Sequence, residues 1–217
     1  MRLEQALHEA KERFKSRVPE DAQEGIFRLI REQRGAGAIY GLKEGQRAVD
    51  FTLNNAEGSP VNLFEQLAHG PVVLTFYRGE WCPFCNLQLR AYQNILAEIE
   101  ALGGRLIAVS PQTPDRALSQ QEREELRFDV LSDSEGKAAE SYRLLFEVPP
   151  YLRELMTTRM KLDLADYNEG SRWILPVPAT FVIDPSGVIR LASVNPDFME
   201  RLEPRVLLDE LTKIAGR

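Results

Sequence analysis

The chain has 217 residues, 43% hydrophobic and 28% charged, with a formal charge of −6. That balance belongs to a folded globular chain and excludes a disordered, collagen-like or disulfide-stapled one. Mild acidity without a basic block argues against nucleic acid or an anionic membrane as the main partner, and no apolar run approaches the ~20 residues that cross a bilayer.

The length suits one core domain plus an extension. Residues 1–20 hold Glu4, Glu9, Lys11, Glu12, Arg13 and Lys15. They lack an apolar centre and a small-residue cleavage site, so they predict a cytoplasmic chain and not an exported one. Leu3, Leu7, Ala10, Phe14 and Val18 recur at helical spacing and predict an amphipathic helix. Pro19, Glu20 and Asp21 open a second helix, which bears Ala22, Ile26, Leu29 and Ile30. Gly35, Gly37 and Gly41 end it. Residues 1–44 therefore read as a helical arm ahead of a domain at 45–217. The arm either packs on its own domain or makes a homodimer contact; its residues do not choose.

From residue 45 the pattern changes. Val49 to Leu53 reads as a short extended segment and 54–60 as a turn. Residues 71–77 form a buried strand, β-branched and aromatic. A helix is expected at 86–102, a buried strand at 105–110, a helix at 114–126, a short strand at 128–131 and a short helix at 135–145. Residues 180–184 and 188–192 flank a Pro-Ser-Gly turn and predict a β-hairpin. A helix at 204–214 closes the chain. This order implies an α/β fold, a mixed sheet with helices on both faces. Residues 148–173 fit none of it and read as an insertion lying over the sheet.

The chain's two cysteines sit in Trp81-Cys82-Pro83-Phe84-Cys85, between a buried strand and a helix. Pro83 suits the first helical position, where its missing N–H costs nothing. That places Cys82 at the N-cap and Cys85 one turn inside. Free N–H groups and the helix dipole lower a thiol's pKa there, and two intervening residues allow a reversible disulfide. Zinc needs four ligands, and only His8 and His69, both of surface character, could add to the pair. No metal or organic cofactor is implied, and redox chemistry is the expected use. Pro178 stands before the strand at 180–184. X–Pro bonds are cis in only ~5–6% of cases, so the residues alone favour trans.

Phe51-Thr52-Leu53, the strand to Tyr77, W-C-P-F-C and P-A-T-F-V-I-D-P-S-G-V-I-R together resemble the peroxiredoxin-like branch of the alkyl hydroperoxide reductase and thiol-specific antioxidant family. The resemblance covers 45–215 and implies a thioredoxin-like fold, with the arm as an N-terminal helical extension. It also implies a cis Val177–Pro178 bond facing the cysteines. The family's usual P-x-x-x-T/S-x-x-C motif aligns with Arg78 to Cys85. Cys85 falls on the peroxide-attacking cysteine, Cys82 on the threonine or serine, and Arg78 on the proline. The family's arginine before the late strand is replaced by Pro178.

The resemblance thus implies a thiol peroxidase. Cys85 would attack a hydroperoxide and Cys82 would close a disulfide, which a thioredoxin-type or other thiol reductant reopens. Helix position instead favours Cys82 as the nucleophile of a thiol–disulfide oxidoreductase. A non-enzymatic redox switch is the third reading. Arg78 is expected either to stabilise a thiolate or to be a solvated loop charge, Trp81 to pack beside the pair, and Arg172 and Trp173 to reach towards it.

Overall fold

The protein is described by a computed structural model covering residues 2–35 and 40–216. Gly37, a predicted helix breaker, lies outside the described residues, as do the chain ends Met1 and Arg217. The arm forms α1 (Leu3–Arg17) and α2 (Glu20–Gly35). Then follow β1 (Thr52–Asn55), β2 (Pro60–Asn62), α3 (Leu63–Leu67), β3 (Val72–Phe76), α4 (Pro83–Gln93), α5 (Leu96–Ala101), β4 (Arg105–Ser110) and α6 (Pro114–Arg123). The remainder comprises β5 (Asp129–Ser132), α7 (Lys137–Ser141), β6 (Leu145–Glu147), α8 (Pro150–Thr158), β7 (Ile174–Pro176), β8 (Ala179–Ile183), β9 (Ile189–Val194) and α9 (Pro204–Ala215).

Among the described residues the main sheet has the order β2-β1-β5-β4-β3-β8-β9. β3 is parallel to β4, and β4 to β5, because α4–α5 and α6 carry the chain back across one face. β8 is antiparallel to β3 and to β9. The middle strands β3 and β8 are buried throughout, since each face of the sheet supports its own apolar core. Such strands read as continuous apolar runs, which is why the sequence located them.

The arm packs on its own chain. α1 lies on α4 and α2 on α8. Leu7, Ala10, Ile26 and Ile30 enter the same core as Leu89, Leu152 and Met156. α2 and α8 come so close that a Cβ at Gly25 would fall 2.4 Å from Leu155 Cδ1. The 148–173 insertion is therefore built into the arm's packing. Its helix starts on Pro149-Pro150, with Pro150 at the first helical position.

Several expectations need correction. The helix expected at 86–102 begins at Pro83 and breaks at Asn94 and Ile95. Leu89 and Tyr92 before the break and Leu96 and Ile99 after it are all buried, so the break keeps both apolar sets on the core. Of the turn expected at 54–60, Asn54 and Asn55 belong to β1 and Pro60 to β2, which leaves 56–59 as the turn of a β1–β2 hairpin. α3 was unforeseen; the Asn62 side chain caps it by accepting from Glu65 N–H at 2.9 Å. No peptide bond among the described residues is cis, so Val177–Pro178 is trans, against the resemblance. Backbone bonds hold extended chain on both sides: Val177 N–H donates to Leu144 O at 2.8 Å, and Asn195 N–H to Pro178 O at 3.3 Å. Extended chain running from β7 into β8 is satisfied by the intrinsically favoured trans isomer. No helix among the described residues is long and apolar enough to cross a membrane.

Candidate active site

β3 leads into buried Tyr77, and residues 78–81 then turn the chain into α4. The turn depends on Gly79, at φ 141°, where a Cβ would sit 2.7 Å from Trp81 Nε1. Cys82 is the N-cap in extended conformation and Pro83 opens the helix, as the spacing predicts. Cys85 follows in the first turn, its N–H donating to Cys82 O at 3.0 Å.

A buried polar network fixes this turn. Gln112 Oε1 accepts from Glu80 N–H at 2.9 Å, and Asn86 Nδ2 donates to Glu80 O at 2.8 Å. Gln120 Nε2 donates to Asn86 Oδ1 at 2.8 Å, and Gln120 Oε1 accepts from Tyr77 Oη at 2.8 Å. The Glu80 carboxylate pairs with Arg123 at 2.8 Å and Arg116 at 3.4 Å, both on α6. With its donors and acceptors matched, such a network holds one geometry, because leaving a member unpaired in a buried site is costly.

Cys82 and Cys85 are free thiols, 1% and 0% exposed. Their environments push them apart. Burial raises Cys85, but the hydrogen bond from Cys82, the Arg201 charge, the Arg78 main-chain N–H and the Arg78 charge outweigh it and bring it down to about 5. Arg201 Nη2 stands 3.4 Å from Cys85 Sγ. Cys82 goes the other way: burial, then its bond to Cys85 and the charge there, hold it well above the usual thiol range against Arg78 and Arg201. Near neutral pH the pair therefore keeps one proton, on Cys82, and one negative charge, on Cys85. The N-cap position, which favours Cys82 as the nucleophile, is opposed at Cys85 by the hydrogen bond from Cys82 and the Arg201 charge.

Sequence reasoning missed Arg201. It lies 116 residues from Cys85, in the irregular stretch 195–203, and no periodicity marks it. Tyr92 of α4 helps hold that stretch, its Oη donating to Leu202 O at 3.1 Å.

Arg78 is not a solvated loop charge. It is 7% exposed, and its guanidinium carbon lies 4.6 Å from the Trp81 ring centre and 3.9 Å from that of Phe198. Its side chain and Cys82 border the same cavity, and among the described residues no carboxylate pairs with it. Trp81 thus packs beside the pair, as expected. Arg172 and Trp173 do not reach it: Arg172 Nη1 donates to Glu135 O at 2.6 Å, and the Trp173 ring lies buried beneath Arg153. Pro178 is buried between β7 and β8. His8 and His69 are exposed.

A cavity of about 390 Å³ opens beside Cys82. Phe14, Val18 and Ile26 of the arm face Met156, Met160 and Phe198 across it. Arg78 and Cys82 form its buried part, and exposed Arg13, Arg17 and Arg90 stand at its rim. Cys85 and Pro178 are not among its walls.

The profile of the AhpC/TSA family matches residues 45–192. A Helicobacter pylori chain that bears the peroxiredoxin name bcp is 27% identical over 157 residues, spanning 71% of this chain and 89% of its own length. The chloroplastic peroxiredoxin Q of Sedum lineare is 25% identical over 173 residues, spanning 80% of this chain and 77% of its own. The crystal structure of the peroxidoxin BcpB from Mycobacterium tuberculosis superposes with a TM-score of 0.63 at 20% identity, covering 80% of this chain and 98% of that one. That likeness concerns the fold, a thioredoxin-like one.

Proposed function

The chain belongs to the AhpC/TSA family, and from that premise we propose that it is a thiol peroxidase whose attacking sulfur is Cys85. The observation that carries this reading is the Cys85 sulfur, buried at a helix N-terminus with Arg201 Nη2 3.4 Å away. A thiolate is the nucleophile towards the O–O bond, and its cationic neighbours keep it ionised near neutral pH. Cys85 attacks the outer peroxide oxygen, the O–O bond breaks, and the alkoxide leaves as the alcohol with a proton from solvent. Cys85 is then a sulfenic acid. Cys82 condenses with it, water leaves, and a Cys82–Cys85 disulfide forms. A thioredoxin-type or other dithiol restores both thiols by exchange. The cavity walls are mostly apolar and would accept the organic part of a hydroperoxide.

The test is the rate at which hydrogen peroxide oxidises reduced Cys82→Ser and Cys85→Ser. Cys82→Ser is expected to react far faster than free cysteine, and Cys85→Ser no faster than it. If both react as slowly as free cysteine, the peroxidase reading fails.

One observation favours a second reading. Cys82 lines the cavity whereas Cys85 is fully covered, as suits a thiol–disulfide oxidoreductase with Cys82 as the exchanging sulfur. That reading predicts that Cys85→Ser traps mixed disulfides with partner proteins while showing no peroxide preference.

A further inference from the structure

The site holds two thiols and two arginines. Arg201 serves Cys85, and the proposed peroxidase step already uses it. Arg78 is engaged differently. Its side chain borders the cavity together with Cys82, Trp81 and Phe198 cover its guanidinium, and among the described residues no carboxylate neutralises it. A buried cation is costly without an anion near it; in the resting pair that anion is the Cys85 thiolate, whose charge Arg78 shares with Arg201. Cys82, which borders the same cavity as Arg78, is then the protonated member.

Oxidation of Cys85 changes this. Three influences hold the Cys82 proton in place: burial, the hydrogen bond to Cys85, and the Cys85 negative charge. Once Cys85 is a sulfenic acid, its charge is gone and its sulfur is a poorer acceptor. Burial then opposes Arg78 and Arg201 alone. Trp81 and Phe198 keep the guanidinium in place throughout, so no rearrangement of the cation is needed.

We propose that Arg78 is the catalytic cation of the second step, stabilising the Cys82 thiolate as it attacks the oxidised Cys85. This rests on the peroxidase reading above. The Cys82 sulfur forms the S–S bond, the Cys85 S–O bond breaks, and the departing hydroxide takes up the proton that Cys82 gave up. The sum is thiol plus sulfenic acid to disulfide plus water, with no further reductant or oxidant. Arg78 thus faces a negative charge in both steps, on Cys85 before its oxidation and on Cys82 after it.

The test follows reduced wild type, Arg78→Met and Arg78→Lys through one turnover with hydrogen peroxide. Peroxide loss reports the first step. Disulfide formation and dimedone-trapped Cys85 sulfenic acid, both read by mass, report the second. In Arg78→Met, disulfide formation is expected to slow at least about tenfold, equal to one pKa unit in thiolate fraction. Dimedone adduct should accumulate, and the rate of disulfide formation should rise with pH. Arg78→Lys should restore most of the rate, which distinguishes a charge effect from a packing one and covers the case in which the methionine variant folds poorly. If Arg78→Met forms the disulfide as fast as wild type, or if Arg78→Lys is as slow as Arg78→Met, the inference is overturned while the peroxidase reading stands. If wild type shows no fast peroxide step, that reading itself fails and this inference with it.

Discussion

At Cys85 an arginine nitrogen 3.4 Å from the sulfur works against the burial that would otherwise keep the thiol protonated. The consequence is a pH profile. An acid with a pKa near 5 is ionised throughout the neutral range, so peroxide consumption by the reduced protein should be flat there and fall only as pH drops through about 5. A free thiol would instead gain rate as pH rises through ~8.5. Arg201→Met removes one of the influences that lower the pKa, so the fall should move to higher pH, with a loss of about tenfold per unit of displacement on the acid side. An unchanged profile in that variant would show that Arg201 does not set the ionisation. Of the site's residues, Cys82, Cys85 and Trp81 were legible because they are adjacent in the chain. Arg78 could be named but its role left open, and Arg201 could not be found.

The element that matters most is the strand–turn–helix from β3 to α4. Its outline follows from local chemistry: a β-branched run, a glycine, and a proline where a helix can begin. Its rigidity does not, because Gln112 and Gln120 reach it from outside. Gly79 joins the two levels. Alanine there would adopt a backbone unsuited to an L side chain and push its Cβ onto the Trp81 indole. Gly79→Ala should cost about 1–3 kcal/mol in urea unfolding and slow peroxide consumption by displacing Trp81. A variant as stable and as fast as wild type would show that the turn tolerates the strain. The same lesson applies to the break at Asn94 and Ile95: helical spacing continues through it, so the local pattern does not mark where the helix ends.

For the whole molecule, the arm is the open structural question. We propose that it folds as one unit with the domain at 45–217, because Leu7, Ile26 and Ile30 share a core with Leu89 and Leu152. Far-ultraviolet circular dichroism and tryptophan fluorescence should then report a single, coincident urea transition. Two separated transitions would make the arm an independent unit. The arm also forms one wall of the cavity beside Cys82, so what reaches the thiols depends on residues far from them in sequence.

Local sequence determined the order of the main strands and helices, the cysteine pair at a helix start and the resemblance to one family. Each of these rests on spacing, propensity or a contiguous motif. Tertiary structure decided which thiol is ionised, the trans state of Val177–Pro178, the seat of the arm and the shape of the cavity. Those depend on charge, burial and contacts between residues 116 positions apart or more. A pKa is set by the distance to a cation in space, and chain spacing does not encode that distance once the partner lies beyond its own helix or strand.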